Sequence, residues 1–309
     1  MRIFCAAARG RETAGRLEPV RLVYINGGLG NQIFQYVFFR WLEIETGESC
    51  IIDDAAFFGS NVPHNGYELE RLFGVRKKRL SQFFPASAWQ EMVEQREKGI
   101  GIAQQILDAG NEIRVIRERY AKNISFNGEL ILVDETPQAV REVLSDDCYY
   151  HGYWLGDAFW MDFPNVILTE LVFPEIEDER NRALAERMSA ERHSTAVHIR
   201  RGDMVQLGWA TSPEWYRAAL AKAEAIWQPE HYYLFSDDLA WCVAHMEELG
   251  LVGVRDRLVV VDGNKGDQAY VDMQIMSLCA HRLIPRSSFS LAANMFCRRP
   301  DKSNMIAWS

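Results

Sequence analysis

Several common signatures are missing from this chain, and each absence narrows its reading. No apolar run approaches the roughly 18 residues a membrane-spanning helix needs, so contact with a membrane would have to be peripheral. The six cysteines, Cys5, Cys50, Cys148, Cys242, Cys279 and Cys297, form no C-x-x-C pair and have no histidine at zinc-ligand spacing. Neither a metal site nor a disulfide framework is therefore expected, and a reducing, cytoplasmic setting fits. Positive charge is also short. Lys and Arg number 34 against 43 Asp and Glu, a net charge of −9, which argues against a general nucleic-acid binder. An anionic ligand must then be held by local groups. With 10 prolines, 21 glycines and no solenoid-period repeat, collagenous and low-complexity readings fall away as well.

What is present is the composition of a globular protein, 48% apolar and 25% charged over 309 residues, a length that suits two domains at roughly 100 to 200 residues each. Residues 1–20 carry Arg2, Arg9, Arg11 and Arg16 around a short apolar patch, Ile3 to Ala8, and read as a loose leader rather than a signal anchor. Domains are expected over 21–170 and 171–309.

Arg21 to Ile25 is β-rich, Asn26 to Gly30 is glycine-rich, and Gln32 to Thr46 is a long apolar stretch closed by Gly47: strand, turn, helix. That helix is apolar on nearly every side, from Ile33 through Trp41 to Ile44, which predicts burial between layers. Cys50 to Asp53 reads as the next strand. Residues 75–145 are more polar and mostly helical in pattern, with Lys77, Lys78 and Arg79 as a solvated basic face. From Thr195 strand-like runs recur at Ala196 to Ile199, Tyr232 to Phe235, Leu258 to Val261, Arg282 to Ile284 and Met305 to Trp308. Helices are expected from Pro213 behind an N-cap at Ser212, over Asp267 to Ala280, and over Ser288 to Cys297. Such alternation implies a doubly wound α/β fold with parallel sheets.

In open α/β sheets ligands lie outside the carboxyl ends of the strands, and here those positions are polar. Arg200, Arg201, Gly202 and Asp203 follow one strand, Ser236, Asp237 and Asp238 the next, and Arg286, Ser287 and Ser288 a third. Paired guanidiniums suit a diphosphate, and a helix opened by Ser287 and Ser288 offers free N–H groups to a phosphate oxygen. Asp237, Asp238 and Asp272 suit the hydroxyls or base edge of a nucleotide. The same arginines and aspartates also suit a purely structural ion network. A second crevice is expected at Gly27, Gly28 and Gly30, a turn that only loosely matches a dinucleotide fingerprint because Ile33 stands where the third glycine belongs.

Two segments, Gly27-Gly28-Leu29-Gly30-Asn31-Gln32-Ile33-Phe34-Gln35-Tyr36 and His198-Ile199-Arg200-Arg201-Gly202-Asp203, resemble the hallmark motifs of the α-1,2-fucosyltransferases, glycosyltransferases of family 11 type. Phe235-Ser236-Asp237-Asp238, the run from Asp272 to His281, Ser287-Ser288-Phe289-Ser290 and His151-Gly152-Tyr153-Trp154 are similar to further family segments, in the same order. Departures fall at Met204, at Pro285-Arg286, over Leu291 to Phe296 and over Leu155 to Ala158; they bear on the acceptor more than on phosphate binding.

The resemblance implies a GT-B fold, two Rossmann-like domains facing across a cleft. It also implies inverting transfer of L-fucose from GDP-β-L-fucose to a galactose-containing glycan, with no metal or other cofactor. It places Arg200 on the β-phosphate with Arg201 beside it, Asp272 on guanine, Ser288 on phosphate, His198 against the base, and Asn31 at the fucose or leaving oxygen. Asp203 is the nearest carboxylate for a general base. Two competing readings are a nucleotide-dependent oxidoreductase, with the glycine turn and Asp53 holding a cofactor ribose, and an inactive sugar-binding protein on the same fold.

Overall fold

The computed structural model describes residues 20–307; nearly all of the expected leader, and Trp308 of the last expected strand, lie outside them. The chain forms two compact units, divided between Val172 and Phe173.

The first unit is built on five parallel strands, β1 (Arg21–Tyr24), β2 (Ile51–Asp53), β3 (Arg114–Glu118), β4 (Leu130–Val133) and β5 (Cys148–His151), ordered β2-β1-β5-β3-β4. Helix α1 (Leu29–Thr46) follows β1 and ends at Gly47, whose φ of 69° gives the left-handed cap that a residue without a Cβ adopts readily. Its residues from Ile33 to Leu42 are buried apart from Arg40. One side meets β1, and another meets the short helix over Ala158–Met161, where Phe38 stacks on Trp154 at 3.9 Å and Trp41 meets Phe159 edge-on. Covering on two sides explains an apolar surface wider than a single stripe. Ile44, in the last turn, is instead 47% exposed. Two further helices, α2 (Ala86–Glu97) and α3 (Ile102–Asp108), pack against each other.

The expectation of mostly helix over 75–145 is corrected, because β3 and β4 lie inside it. In β3 the buried positions include Arg117 and Glu118, whose side chains bond to Asn123 and to the backbone N–H groups of Tyr153 and Trp154, so a buried strand reads as polar. β4 is an edge strand with Leu130 and Leu132 partly exposed. The basic cluster is not a free solvated face either. Lys77 pairs with Glu43 at 2.8 Å, Arg79 pairs with Glu70 at 3.1 Å, and Lys78 accepts a backbone bond from Ile52 at the edge of β2.

The second unit has its own parallel sheet, β6 (Thr195–Ile199), β7 (Tyr232–Ser236), β8 (Leu258–Val260), β9 (His281–Pro285) and β10 (Ser303–Ala307), ordered β10-β9-β6-β7-β8. The chain runs outward from β6 on one side and resumes on the other at β9, so the order reverses between these two strands. Helices α4 (Gly202–Gln206), α5 (Pro213–Ile226), α6 (Leu239–Ala244), α7 (Tyr270–Met276) and α8 (Ser288–Phe296) fill the connections. Ser212 caps α5 by accepting from the N–H of Trp215. The single helix expected from Asp267 to Ala280 is shorter, a 3-10 turn at Gly266–Gln268 followed by α7. The core on one face joins Val197, Ile199, Leu234 and Leu283 of the sheet to Tyr216 and Leu220 of α5.

Candidate active site

At the carboxyl edge of the second sheet the ladder between β6 and β9 stops at Val197 and Leu283, whereas β6 stays paired with β7 as far as Ile199 and Ser236. The sheet thus opens where its order reverses. His198 fills the base of that opening, 5% exposed, with Nδ1 2.9 Å from Ser290 Oγ in α8. Burial, with Arg200 nearby, pushes its imidazole down to about 3, so it is neutral at physiological pH. Its carbonyl accepts from the buried Tyr216 hydroxyl at 2.9 Å.

Above it, Arg200 donates from Nη1 to Asp237 at 2.6 Å and from Nη2 to Asp203 at 2.7 Å. The other oxygen of Asp237 accepts from the backbone N–H of Arg201 at 2.8 Å. Asp238 caps α6 through the N–H of Trp241 and stands 3.7 Å from Arg201 Nε, while the Arg201 guanidinium lies 3.4 Å over the Trp241 ring. Ser236 ties the two strand ends together, donating to Ile199 and accepting from the N–H of Asp238. A Cβ at Gly202 would sit 2.6 Å from Asp237 Oδ2 and displace the carboxylate that holds Arg200. The ion network is therefore present, and with the Trp241 ring it holds two guanidinium groups at one strand end.

Ser287 and Ser288 open α8 at the end of β9, the neighbour of β6 in the sheet. The Ser287 side chain makes no capping bond and the first turn holds no acidic residue, leaving N–H groups and the positive end of the helix dipole for an anion. Asp272, in the first turn of α7, belongs to a separate cluster. It accepts from Asn264 Nδ2 at 2.7 Å, and Asn264 exchanges amide bonds with Asn181. Burial raises its carboxyl to about 6, against the lowering effect of Asn264. The structure thus joins Arg200, Arg201, Asp203, Asp237 and Asp238 directly, puts His198 beside them with Ser290, and keeps Asp272 on other partners.

In the first unit Gly27, at φ 78°, makes the turn that Gly28, Gly30 and Asn31 continue into α1. Two glutamines of the same segment lock it. Gln35 accepts from the N–H of Asn26 and donates to Asn26 Oδ1 and to the Gly152 carbonyl. Gln32 donates to the carbonyls of Gly27 and Gly66 and accepts from the N–H of Glu68. Asp53 does not reach a ribose as the oxidoreductase reading requires. It is fully buried and both oxygens are used, one by the Tyr149 hydroxyl at 2.6 Å and the other by the N–H of Ala55 at 3.0 Å.

Ser290, Trp241 and Asn264 were not among the residues expected from sequence. Ser290 lay within a recognised segment. Trp241 stands three residues after Asp238, at N-cap spacing that was legible, whereas the pairing of Asn264 with Asn181 spans 83 residues and left no local trace.

Residues 22–301 match the family model described as glycosyl transferase family 11. Two Escherichia coli proteins are similar over most of their lengths. One is named an α-1,2-colitosyltransferase, 23% identical over 85% of this chain and 83% of the relative. The other is named the O-antigen biosynthesis glycosyltransferase WbnK, 24% identical over 86% of each. Among solved structures, fucosyltransferase NodZ from Bradyrhizobium superposes with a TM-score of 0.51 at 16% identity, covering 89% of this chain and 92% of the other. A mutant of FUT1 from Arabidopsis thaliana in complex with GDP gives 0.50 at 11% identity, covering 99% and 74%. At such identities the likeness is one of fold.

Proposed function

The chain belongs to glycosyl transferase family 11 and is a glycosyltransferase of GT-B fold with two parallel-sheet α/β domains, and we propose that it moves L-fucose from GDP-β-L-fucose to a galactoside hydroxyl, forming an α-1,2 linkage with inversion. The observation that carries this reading is the arginine pair anchored at the end of β6, beside the opening in the sheet and the uncapped start of α8. In the proposed arrangement Arg200 and Arg201 take the diphosphate, Ser287 and Ser288 receive a phosphate oxygen, and Asp272 reads the guanine edge. Asp237 and Asp238 orient the arginine forks, and His198 with Ser290 forms the wall next to the base. Gly28 and Gly30 of the first-domain turn remain candidates for ligand binding, and Asn31 and Asp203 are the candidates to assist the transfer.

The departing GDP gains negative charge as the glycosidic bond breaks, and donors already fixed in place stabilise that charge without reorganising; each is worth on the order of 3 kcal/mol, about a hundredfold in rate. No metal or cofactor is assigned to this step. The buried, unpaired state of the five described cysteines supports a reducing, cytoplasmic setting. No helix among the described residues is long and apolar enough to cross a membrane.

The colitosyltransferase relative makes the donor sugar a point to test directly. The experiment is incubation with GDP-fucose or GDP-colitose and a panel of β-galactosides, followed by linkage analysis of the product. Fucose linked α-1,2 to galactose is the expected result. Exclusive use of the colitose donor would replace the donor assignment, and any other linkage would overturn the acceptor assignment.

A further inference from the structure

The first domain has an opening of its own. The β1–β5 ladder ends at Val23 and Tyr150, one pair short of Tyr24 and His151, at the point where the order of that sheet reverses. A pocket of about 330 Å³ lies there, at the lower end of the roughly 300 to 1,000 Å³ usual for small-molecule sites. Tyr24 and His151 stack on each other in its wall, with ring centroids 5.0 Å apart and planes within 9°, and the half-buried Tyr153 also lines it, so the Tyr153 ring is available to the apolar face of a sugar.

Cations outnumber carboxylates in its lining. Arg96 of α2 reaches the pocket half-buried, and among the described residues its side chain's only hydrogen bond runs from Nη2 to the Tyr24 hydroxyl at 3.0 Å. Other arginines of this domain, such as Arg40, Arg114 and Arg141, rest on carboxylates; among the described residues Arg96 has none within pairing distance, and Asp53 acts on it only through space. The pocket's one carboxylate, Asp53, is buried and committed to Tyr149 and Ala55, and Lys122 adds a second cation at the rim. A desolvated guanidinium with most of its fork unused matches a carboxylate or phosphate better than a lone hydroxyl.

We propose that this pocket is an acceptor subsite that receives a sugar ring bearing a carboxylate or phosphate, with Arg96 holding the anion. The inference rests on the glycosyl-transfer reading above. It makes the acceptor an acidic glycan and Arg96 the residue that selects it.

The test uses three β-galactosides that differ only in the neighbouring sugar: glucose, glucuronate or glucose 6-phosphate. For the wild-type enzyme kcat/KM should favour at least one charged acceptor over the neutral one by about tenfold or more, the range expected for hydrogen bonds to a charged group, and which one it is separates the carboxylate from the phosphate source. In Arg96→Gln that ratio should fall towards one, and Arg96→Lys should recover part of it. Equal use of all three acceptors by the wild type, or an equal loss on all three in Arg96→Gln, overturns the proposal. Calorimetric titration of the same acceptors, without donor, decides the matter independently of activity: charge-selective binding that Arg96→Gln abolishes supports the subsite, and charge-blind binding overturns it. If the wild type neither hydrolyses the donor nor transfers to any acceptor while this titration still shows selectivity, the transfer reading fails and the anion site stands.

Discussion

Arg200 is held from two sides, by Asp237 and by Asp203, so the protein's own carboxylates orient its guanidinium. Lysine at this position keeps the charge but loses the planar fork. Arg200→Lys should therefore cut turnover by about a hundredfold, and Arg200→Ala by at least as much. Rate and melting temperature measured on the same preparation separate the two roles this residue can have: a protein that melts earlier yet turns over normally would show a merely structural ion pair. Asp272 makes a different prediction. Its folded carboxyl titrates near 6, above the ordinary 3.8, so the protonated form is favoured in the fold. This contribution to stability is complete below about pH 4 and is lost as pH rises through 6. A guanine edge, which presents N–H donors, needs the ionised form. GDP affinity should consequently weaken as pH falls through 6, and Asp272→Asn should lower the affinity at pH 7.5 and remove the pH dependence; isothermal titration at pH 5 and 7.5 reads both.

At the scale of elements, the β1–α1 connection shows how a glycine-rich segment becomes rigid. Gly27 supplies the turn, but Gln35 ties it both to Asn26 and to Gly152 at the end of β5. The glutamine thus closes one crevice edge across 117 residues of sequence. Gln35→Ala would orphan buried groups at a cost of about 1 to 3 kcal/mol each. The expected outcome is a lowered melting temperature and a loss of turnover, with GDP binding by the second domain kept. Weakened GDP binding in a folded Gln35→Ala protein would contradict that division. The start of α8 is the opposite case: an element left without a side-chain cap where an anion is expected to complete it.

For the whole molecule, the proposed function has arginine forks and a helix terminus of the second domain meet the charge of the diphosphate. Turnover should accordingly survive EDTA. Loss of activity on chelation, recovered with manganese, would contradict the assignment. The two domains are built on a common plan, a parallel sheet whose order reverses beside its first strand and opens at the carboxyl edge, yet they differ in charge: two arginines beside carboxylates in the second, one arginine hydrogen-bonded to a tyrosine in the first.

The sequence by itself determined what is local. The run from Arg21 to Gly47 carries strand, turn, helix and cap in order, and β6 and β7 could be read because each is short, apolar and followed by polar residues that remain neighbours in space. That Arg200 and Arg201 would meet Asp237 and Asp238 at adjoining strand ends was legible for the same reason. Tertiary structure alone decided the rest. β3 became a buried strand because Glu118 and Arg117 find partners in other segments. Asp53, which sequence position alone offers as a ribose ligand, was removed from that role by Tyr149, 96 residues away. Arg96 was brought to Tyr24 across 72 residues. Local pattern records propensity and periodicity, whereas burial and partner choice arise from contacts between distant segments, and it is those contacts that decide which polar residues are spent inside the fold and which are left to meet a ligand.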